Sequence, residues 1–305
     1  MVPSNYNRSV IMVIMGGVLL SLLGIGDRNL DNATVPQIAF YRAVSQSIFF
    51  AFIFILTSRK AYKAAFVGLG RRGWFAAFTM SMASFLLIMS FQYTLIANAV
   101  FFISLTPLFA AILAWLFLRE NIDKRTTLAM AIALIGVCII FGTNINGEGV
   151  IGMVLALMMA FCYAGSIVII RTLPKANIVL ICTLNALMTL ILMLPLMDSF
   201  ILSQKDLMIC LGLGIVQVGM GTALVMAGAQ HVPAAQVSIL ALLEVVLSPL
   251  WVWIFVKEVP SLTTVIGGAI VLCGVIYQVL GAREARKRPL DMSLAIDISV
   301  ETKPK

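Results

Sequence analysis

The chain has 305 residues, 61% hydrophobic and only 11% charged, with a formal net charge of +8 and a mean hydropathy of +1.06. Water-soluble domains run at roughly 45–50% apolar and about 25% charged, so this composition excludes a soluble globular fold. A membrane accommodates it, and in lipid the long apolar runs must be helices because only a helix satisfies its own backbone.

A span needs roughly 20 mostly apolar residues to cross about 30 Å of hydrocarbon at about 1.5 Å per residue. In chain order, apolar runs bounded by charges or turn formers predict spans at 10–26, 35–56, 74–94, 97–118 and 126–142. Five more follow at 150–170, 178–197, 207–229, 233–256 and 261–280. The expected fold class is an all-α integral membrane protein of about ten transmembrane helices. Gly24-Ile25-Gly26 resembles a small-x-small cleavage site after the first run, but nine further spans favour an uncleaved first helix. The segment 283–305 opens with Arg283-Glu284-Ala285-Arg286-Lys287-Arg288-Pro289 and lacks an apolar period. It is expected to form a disordered cytoplasmic tail at the anionic membrane surface.

Lys/Arg asymmetry sets orientation. With the N-terminus cytoplasmic, seventeen basic residues fall on that side, from Arg8 through the 59–72 and 119–125 loops, Arg171, Lys175 and the tail. Three (Arg28, Lys205 and Lys257) fall on the other, and Arg42 lies within a span. Both termini are therefore expected in the cytoplasm, with a bacterial inner membrane as the location. The positive charge is a topological bias, so no nucleic-acid partner is expected.

Cys138, Cys162, Cys182, Cys210 and Cys273 all lie in apolar runs with no CxxC pair, so they read as small apolar filler. His231 is the only histidine, which excludes a His-based metal cluster, and no cofactor is expected. Gly68-Leu69-Gly70-Arg71-Arg72-Gly73 fits GxGxxG, but no strand precedes it and a span follows. Asn32-Ala33-Thr34 is a formal glycosylation sequon on the outer side. No HExxH, GxSxG or GxxxxGK[ST] is present, so neither an intramembrane enzyme nor an ATP-driven pump has its machinery here.

Sliding the chain by 138 positions aligns one helix pair with another without a gap. Ala97, Leu105, Trp115, Phe117 and Glu120 meet Ala235, Leu243, Trp253, Phe255 and Glu258, and Arg119 meets Lys257. Gly136-Val137 meets Gly274-Val275. Leu/Ile-rich sequence matches itself by chance at apolar positions, but not at a Trp, a basic-Glu pair and a Gly in one register. A fainter echo sets Ile38-Ala39-Phe40-Tyr41-Arg42-Ala43 against Ile181-Cys182-Thr183-Leu184-Asn185-Ala186. The chain reads as two five-helix repeats, 10–142 and 150–280. Five is odd, so the halves are expected to be inverted relative to each other, as in secondary transporters with a site at the repeat interface.

The stretch from Thr106-Pro107-Leu108-Phe109-Ala110-Ala111 to Leu118-Arg119-Glu120, the closing Gly136-Val137, and Leu243-Glu244 with Val256-Lys257-Glu258 resemble the EamA-type branch of the drug/metabolite transporter superfamily. Val245 stands where that pattern carries a proline, and Pro249 follows four residues later. The resemblance implies a 5+5 inverted fold, a central cavity, and alternating access for small metabolites.

Charged groups inside a span cost roughly 2.5–3.5 kcal/mol each on insertion scales and mark function. Glu244 sits near the centre of the ninth span. Arg42 lies about two turns into the second, with Ser45, Gln46 and Phe49 completing one face at i+3, i+4 and i+7. Both charges are expected to line a cavity that binds opposite charges on a polar substrate, with Glu244 a candidate proton carrier. The bland alternative pairs them with each other or with backbone carbonyls. Asn98, Tyr163, Asn185 and Gln217 are further polar candidates, for which interhelical bonding is the plain alternative. Gly214, Gly221 and Gly228 form a small-residue stripe that reads as close packing.

The expected function is a secondary active transporter of a small polar metabolite such as an amino acid, nucleoside or cofactor-like compound. Its partners are that substrate, membrane lipids and protons as the candidate coupling ion, with monomer and homodimer both open. The competing class is a passive facilitator or channel, which would show no dependence on a proton or counter-substrate gradient.

Overall fold

Small residues line many of the helix contacts, alongside buried large ones such as Ile167 and Ile170. Along residues 150–171, Gly152, Ala156, Ala160 and Ala164 are buried while Ile151, Val154 and Met158 are exposed. Lipid is as apolar as leucine, so helices associate through close contact between small side chains rather than by hiding large ones. The computed structural model describes residues 5–22, 25–26, 29–57, 62–94, 99, 102–120, 122–141, 149–257, 262–278 and 280. Residue Asn98, the tail 283–305 and Glu258 lie outside them.

Among the described residues there are ten principal helices and no strand. They are α1 (Asn5–Leu20), α2 (Val35–Thr57), α3 (Tyr62–Tyr93), α4 (Thr106–Leu118) and α5 (Lys124–Phe141). The second set is α6 (Val150–Arg171), α7 (Ile178–Leu196), α8 (Gln204–Ala229), α9 (Ala234–Val256) and α10 (Leu262–Gln278). Helices α2, α3, α6, α7, α8 and α9 are long and apolar enough to cross a membrane, and α1, α4 and α10 are shorter apolar helices.

Several boundaries differ from expectation, two of them instructively. Helix α3 starts at Tyr62 rather than near residue 74, because the polar-flecked segment before the span is helical and joins it across a kink at Gly70. Gly70 has φ 56° and ψ −177°, a region essentially reserved for glycine; the GxGxxG match is this bend. Helix α1 ends at Leu20, six residues early, and Ser21–Leu22 turn out of it.

The packing repeats with the sequence. Helix α3 lies on α6 and α7, as α8 lies on α1 and α2; α4 lies on α6, as α9 lies on α1; and α2 meets α7 while α4 meets α9. Helices α4 and α9 each end in a π-turn, Ala114–Leu118 and Val252–Val256, followed by a basic residue in the left-handed region, Arg119 (φ 53°) and Lys257 (φ 64°). Both are also interrupted at one register position, at Ser104–Leu105 just before α4 and at Leu242 within α9. The bend at Leu242 thus forms with Val245 in the proline's place.

Helices α5 and α10 cross through glycines. A Cβ on Gly136 would lie 2.6 Å from Gly267 O, and one on Gly274 would lie 2.9 Å from Ala129 O. As α5 is followed backwards from 136 to 129, α10 advances from 267 to 274, so the two run antiparallel.

Candidate functional site

The polar stripe of α2 is seated on a distortion of α8. Residues Gly214–Met220 of α8 form a π-turn, a wider turn that recurs at functional sites. Gly214 has no Cβ because Ser45 Oγ and the Arg42 carbonyl occupy that space, with Arg42 Cα at 2.8 Å. A Cβ on Gly219 would likewise lie 2.9 Å from Gly214 O and 3.3 Å from the Phe49 ring. Between them Gln217, 4% exposed, points at Arg42: Arg42 Nη2 donates to Gln217 Oε1 at 2.6 Å. Gln217 Nε2 donates in turn to Leu20 O at 3.0 Å, satisfying one of the orphan carbonyls at the end of α1. Helices α1, α2 and α8 therefore converge on one buried polar knot. Trp251 of α9 ties the same end of α1 by donating from Nε1 to Ser21 Oγ at 2.8 Å.

A second polar group lies where α2 meets α7. Gln46 (3% exposed), Asn185 (4%) and Thr189 (6%) are buried, and Gln46 Nε2, Asn185 Oδ1 and Thr189 Oγ1 have no hydrogen-bond partner. An unmet buried polar atom costs about 1–3 kcal/mol, so three on two packed helices call for a physical reason. The offset of 143 that aligns Ile38 with Ile181 also aligns Arg42 with Asn185 and Gln46 with Thr189. The two halves thus contribute the same pair of polar steps, i and i+4, from equivalent helices.

Glu244 sits two residues after the break at Leu242, in the first turn of the second piece of α9. Among the described residues its carboxylate has neither an ion pair nor a hydrogen bond, and the expected alternative of an Arg42–Glu244 pair is not what forms. Tyr163 of α6 lies within electrostatic reach of Glu244 and of Cys182, and its ring packs against the apolar core. Tyr163 and Glu244 are half-buried.

Of the sequence candidates, then, Arg42 and Gln217 bond directly, Gln46 and Asn185 lie on the packed pair α2 and α7, and Tyr163 neighbours Glu244. Thr189 was missed; its only sequence signal is the 143-residue offset. The π-turn that aims Gln217 has no sequence signature beyond its glycines. The stripe Gly214, Gly221 and Gly228 packs closely, as expected: a Cβ on Gly228 would lie 2.7 Å from Ser9 O of α1, and one on Gly221 2.9 Å from Leu20 Cγ. A depression of about 440 Å³ beside Arg71, Trp74, Phe75 and Phe78 is an open apolar groove. It lies outside this polar region.

The family model described as the EamA-like transporter family matches twice, over residues 7–142 and 150–280. The chain belongs to the EamA-like transporter family. Relatives of the chain include the pseudopaline exporter CntI of Pseudomonas aeruginosa, in two strains, each 22% identical over 272 residues. Those alignments cover 86% of this chain and 95% of the relative. A solved crystal structure matches the fold with a TM-score of 0.77 at 15% identity, covering 91% of this chain and 99% of its own. The chain is thus a multi-pass membrane protein of a small-molecule transporter family.

Proposed function

We propose that this protein is a secondary active transporter that exports a small polar metabolite across the cytoplasmic membrane by alternating access. Its two five-helix halves are inverted relative to each other, both termini face the cytoplasm, and Arg42, Gln46, Asn185, Gln217, Tyr163 and Glu244 line the substrate path at the junction of the halves. The observation that carries this reading is Glu244. A carboxylate in the middle of a span with no partner among the described residues is expensive in lipid unless it faces a cavity or ligand. Its position at a helix break matches the discontinuous helices that bind substrates in inverted-repeat carriers.

Three further observations support the reading. The crossing of α5 and α10 is isologous: the Gly136–Gly267 contact and the Gly274–Ala129 contact exchange when 138 is added to one partner and subtracted from the other. Equivalent helices running antiparallel are what a two-fold axis in the membrane plane produces. The unmet atoms of Gln46, Asn185 and Thr189 are groups that a polar substrate or its water would complete. The exporter relatives favour the outward direction.

Gln217 is bonded on both sides, so its role is to hold Arg42 rather than to meet substrate first. The test is a thermal-shift screen of purified protein against amino acids, nucleosides, vitamins, polyamines and pseudopaline. One chemical class is expected to raise the melting temperature through linkage, and Glu244→Gln and Arg42→Gln are expected to lose that rise. Undiminished stabilisation and transport by both variants would remove these residues from the site.

A further inference from the structure

The end of the bundle that holds the C-terminus of α6 carries a polar cluster outside the mid-bundle site. Arg171 Nε donates to Glu120 Oε1 at 3.0 Å, joining the second half to the first. Arg171 Nη1 donates to Gln230 O at 3.1 Å, and Gln230 Nε2 donates to Leu173 O at 2.6 Å and Ala176 O at 3.1 Å. Tyr6 Oη donates to Gln236 Oε1 at 2.6 Å, crossing between the halves at the same end. The position suits each charge. Arg171 lies in the last turn of α6, where the helix dipole favours a cation. Glu120 follows the left-handed Arg119, and its amide is held by Ala114 O at 3.3 Å.

The repeat exposes an asymmetry. The 138-residue register that matches Glu120 with Glu258 also matches Gln92 with Gln230. Gln230 is 8% exposed and bonded to two carbonyls. Gln92, at the end of α3, is exposed and makes no hydrogen bond among the described residues. Identical side chains at equivalent places are cinched in one half and loose in the other. Side-chain chemistry alone does not distinguish them; two ends held in different conformations would. A cleft of about 220 Å³ beside the cluster, bordered by Glu120, Asp123, Thr126 and Gln236, leaves solvent access to the ion pair.

We infer that Glu120, Arg171 and Gln230 form a latch that ties the two halves together at this end in the conformer seen here, and that its release opens this end. The inference rests on the alternating-access reading above. The ion pair is suited to reversible use: its side chains remain 27% and 28% exposed, and such a pair shifts a two-state ratio by only roughly two- to fivefold. The cycle can therefore break it without a trap.

The test is hydrogen–deuterium exchange on the full-length protein in lipid nanodiscs, with no substrate needed. Glu120→Gln and Arg171→Gln are each expected to speed exchange at residues 171–177 and 230–236. They are also expected to slow it at the opposite end, at residues 31–37 and 199–207, by about two- to fivefold. The charge-swapped pair Glu120→Arg with Arg171→Glu is expected to return both ends toward wild type, which a misfolded variant would not do. Faster exchange confined to the latch end, or no change, overturns the latch. A separate measurement on wild type, counterflow of the compound that most raises its melting temperature, distinguishes the two claims. Trans-stimulated flux without the reciprocal exchange response overturns the latch alone, and absent flux overturns the transporter reading beneath it.

Discussion

Substituting Gly136 by alanine tests the crossing of α5 and α10, on which the proposed two-fold relation of the halves rests. The added Cβ would stand 2.6 Å from Gly267 O, 2.7 Å from Val271 Cγ2 and 2.8 Å from Val271 N, where ordinary contact begins at 3.4 Å. Two of these neighbours are backbone atoms, so a side-chain rotation does not relieve the clash; the helices must separate by several tenths of an ångström. Overpacking of this kind costs about 1–3 kcal/mol, and the gain in helix propensity returns about 0.5–1 kcal/mol. At mid-range the net loss is about 1 kcal/mol, and at most about 2.5 kcal/mol, so a fall of roughly 2–4 °C in melting temperature is expected for a chain of this size. The equivalent change Gly274→Ala meets its neighbours at 2.9, 3.1 and 3.2 Å and is expected to be milder. Gly165→Ala, whose Cβ meets nothing within 4 Å, is expected to be neutral or stabilising by about 0.5–1 kcal/mol. The assay is thermal unfolding of the three purified variants in one detergent. If Gly136→Ala melts at or above wild type, α5 and α10 do not cross there and the two-fold argument fails.

Three other outcomes follow from the same contacts. Glu244→Gln removes a charge that no group among the described residues balances, so its ligand-free melting temperature is expected to stay within about 2 °C of wild type while ligand stabilisation disappears; a large fall in stability would mean that Glu244 is structural. Gln217→Leu strips both the Arg42 bond and the Leu20 bond and is expected to cost about 1–3 kcal/mol and impair transport. Gln217→Glu keeps an acceptor for Arg42 and is expected to be less damaging to folding, a ranking read by melting the two variants side by side. Asp206, buried at 0% exposure, accepts the amides of Asp31 and Asn32 at 3.0 and 3.3 Å. Asp206→Ala is expected to cost about 1–3 kcal/mol, whereas Lys205→Ala, removing the exposed 2.8 Å pair with Asp31, costs about 0–1 kcal/mol; equal effects in a melt would contradict the burial argument.

Much of the helix layout was legible because membrane spans are set by length and hydropathy, which sequence carries directly. The repeat was legible because Trp115 and Trp253, Glu120 and Glu258, and Gly136 and Gly274 are too chemically distinct to coincide by accident. What escaped is what backbone geometry decides. The early start of α3 escaped because Gly70 lets a surface helix run into a span across a bend. The meeting of Arg42 with Gln217 escaped because it depends on a π-turn in α8, and a π-turn has no periodic pattern to read. Sequence reasoning weighed Arg42 against Glu244 because opposite charges attract. The structure pairs Arg42 with Gln217, whose amide oxygen accepts from Nη2 of the guanidinium and whose amide nitrogen donates to a helix-end carbonyl. Thr189 escaped because a threonine in an apolar run looks like packing until the register places it opposite Gln46.

The central claim is that this EamA-like chain is a carrier whose halves alternate, rather than a pore. Counterflow in proteoliposomes tests it most directly, using the compound that most raises the melting temperature of the purified protein. The account predicts saturable flux that speeds up when unlabelled compound is loaded on the opposite side, because a carrier returns faster loaded than empty. Flux that rises linearly with concentration and ignores the opposite side would contradict it.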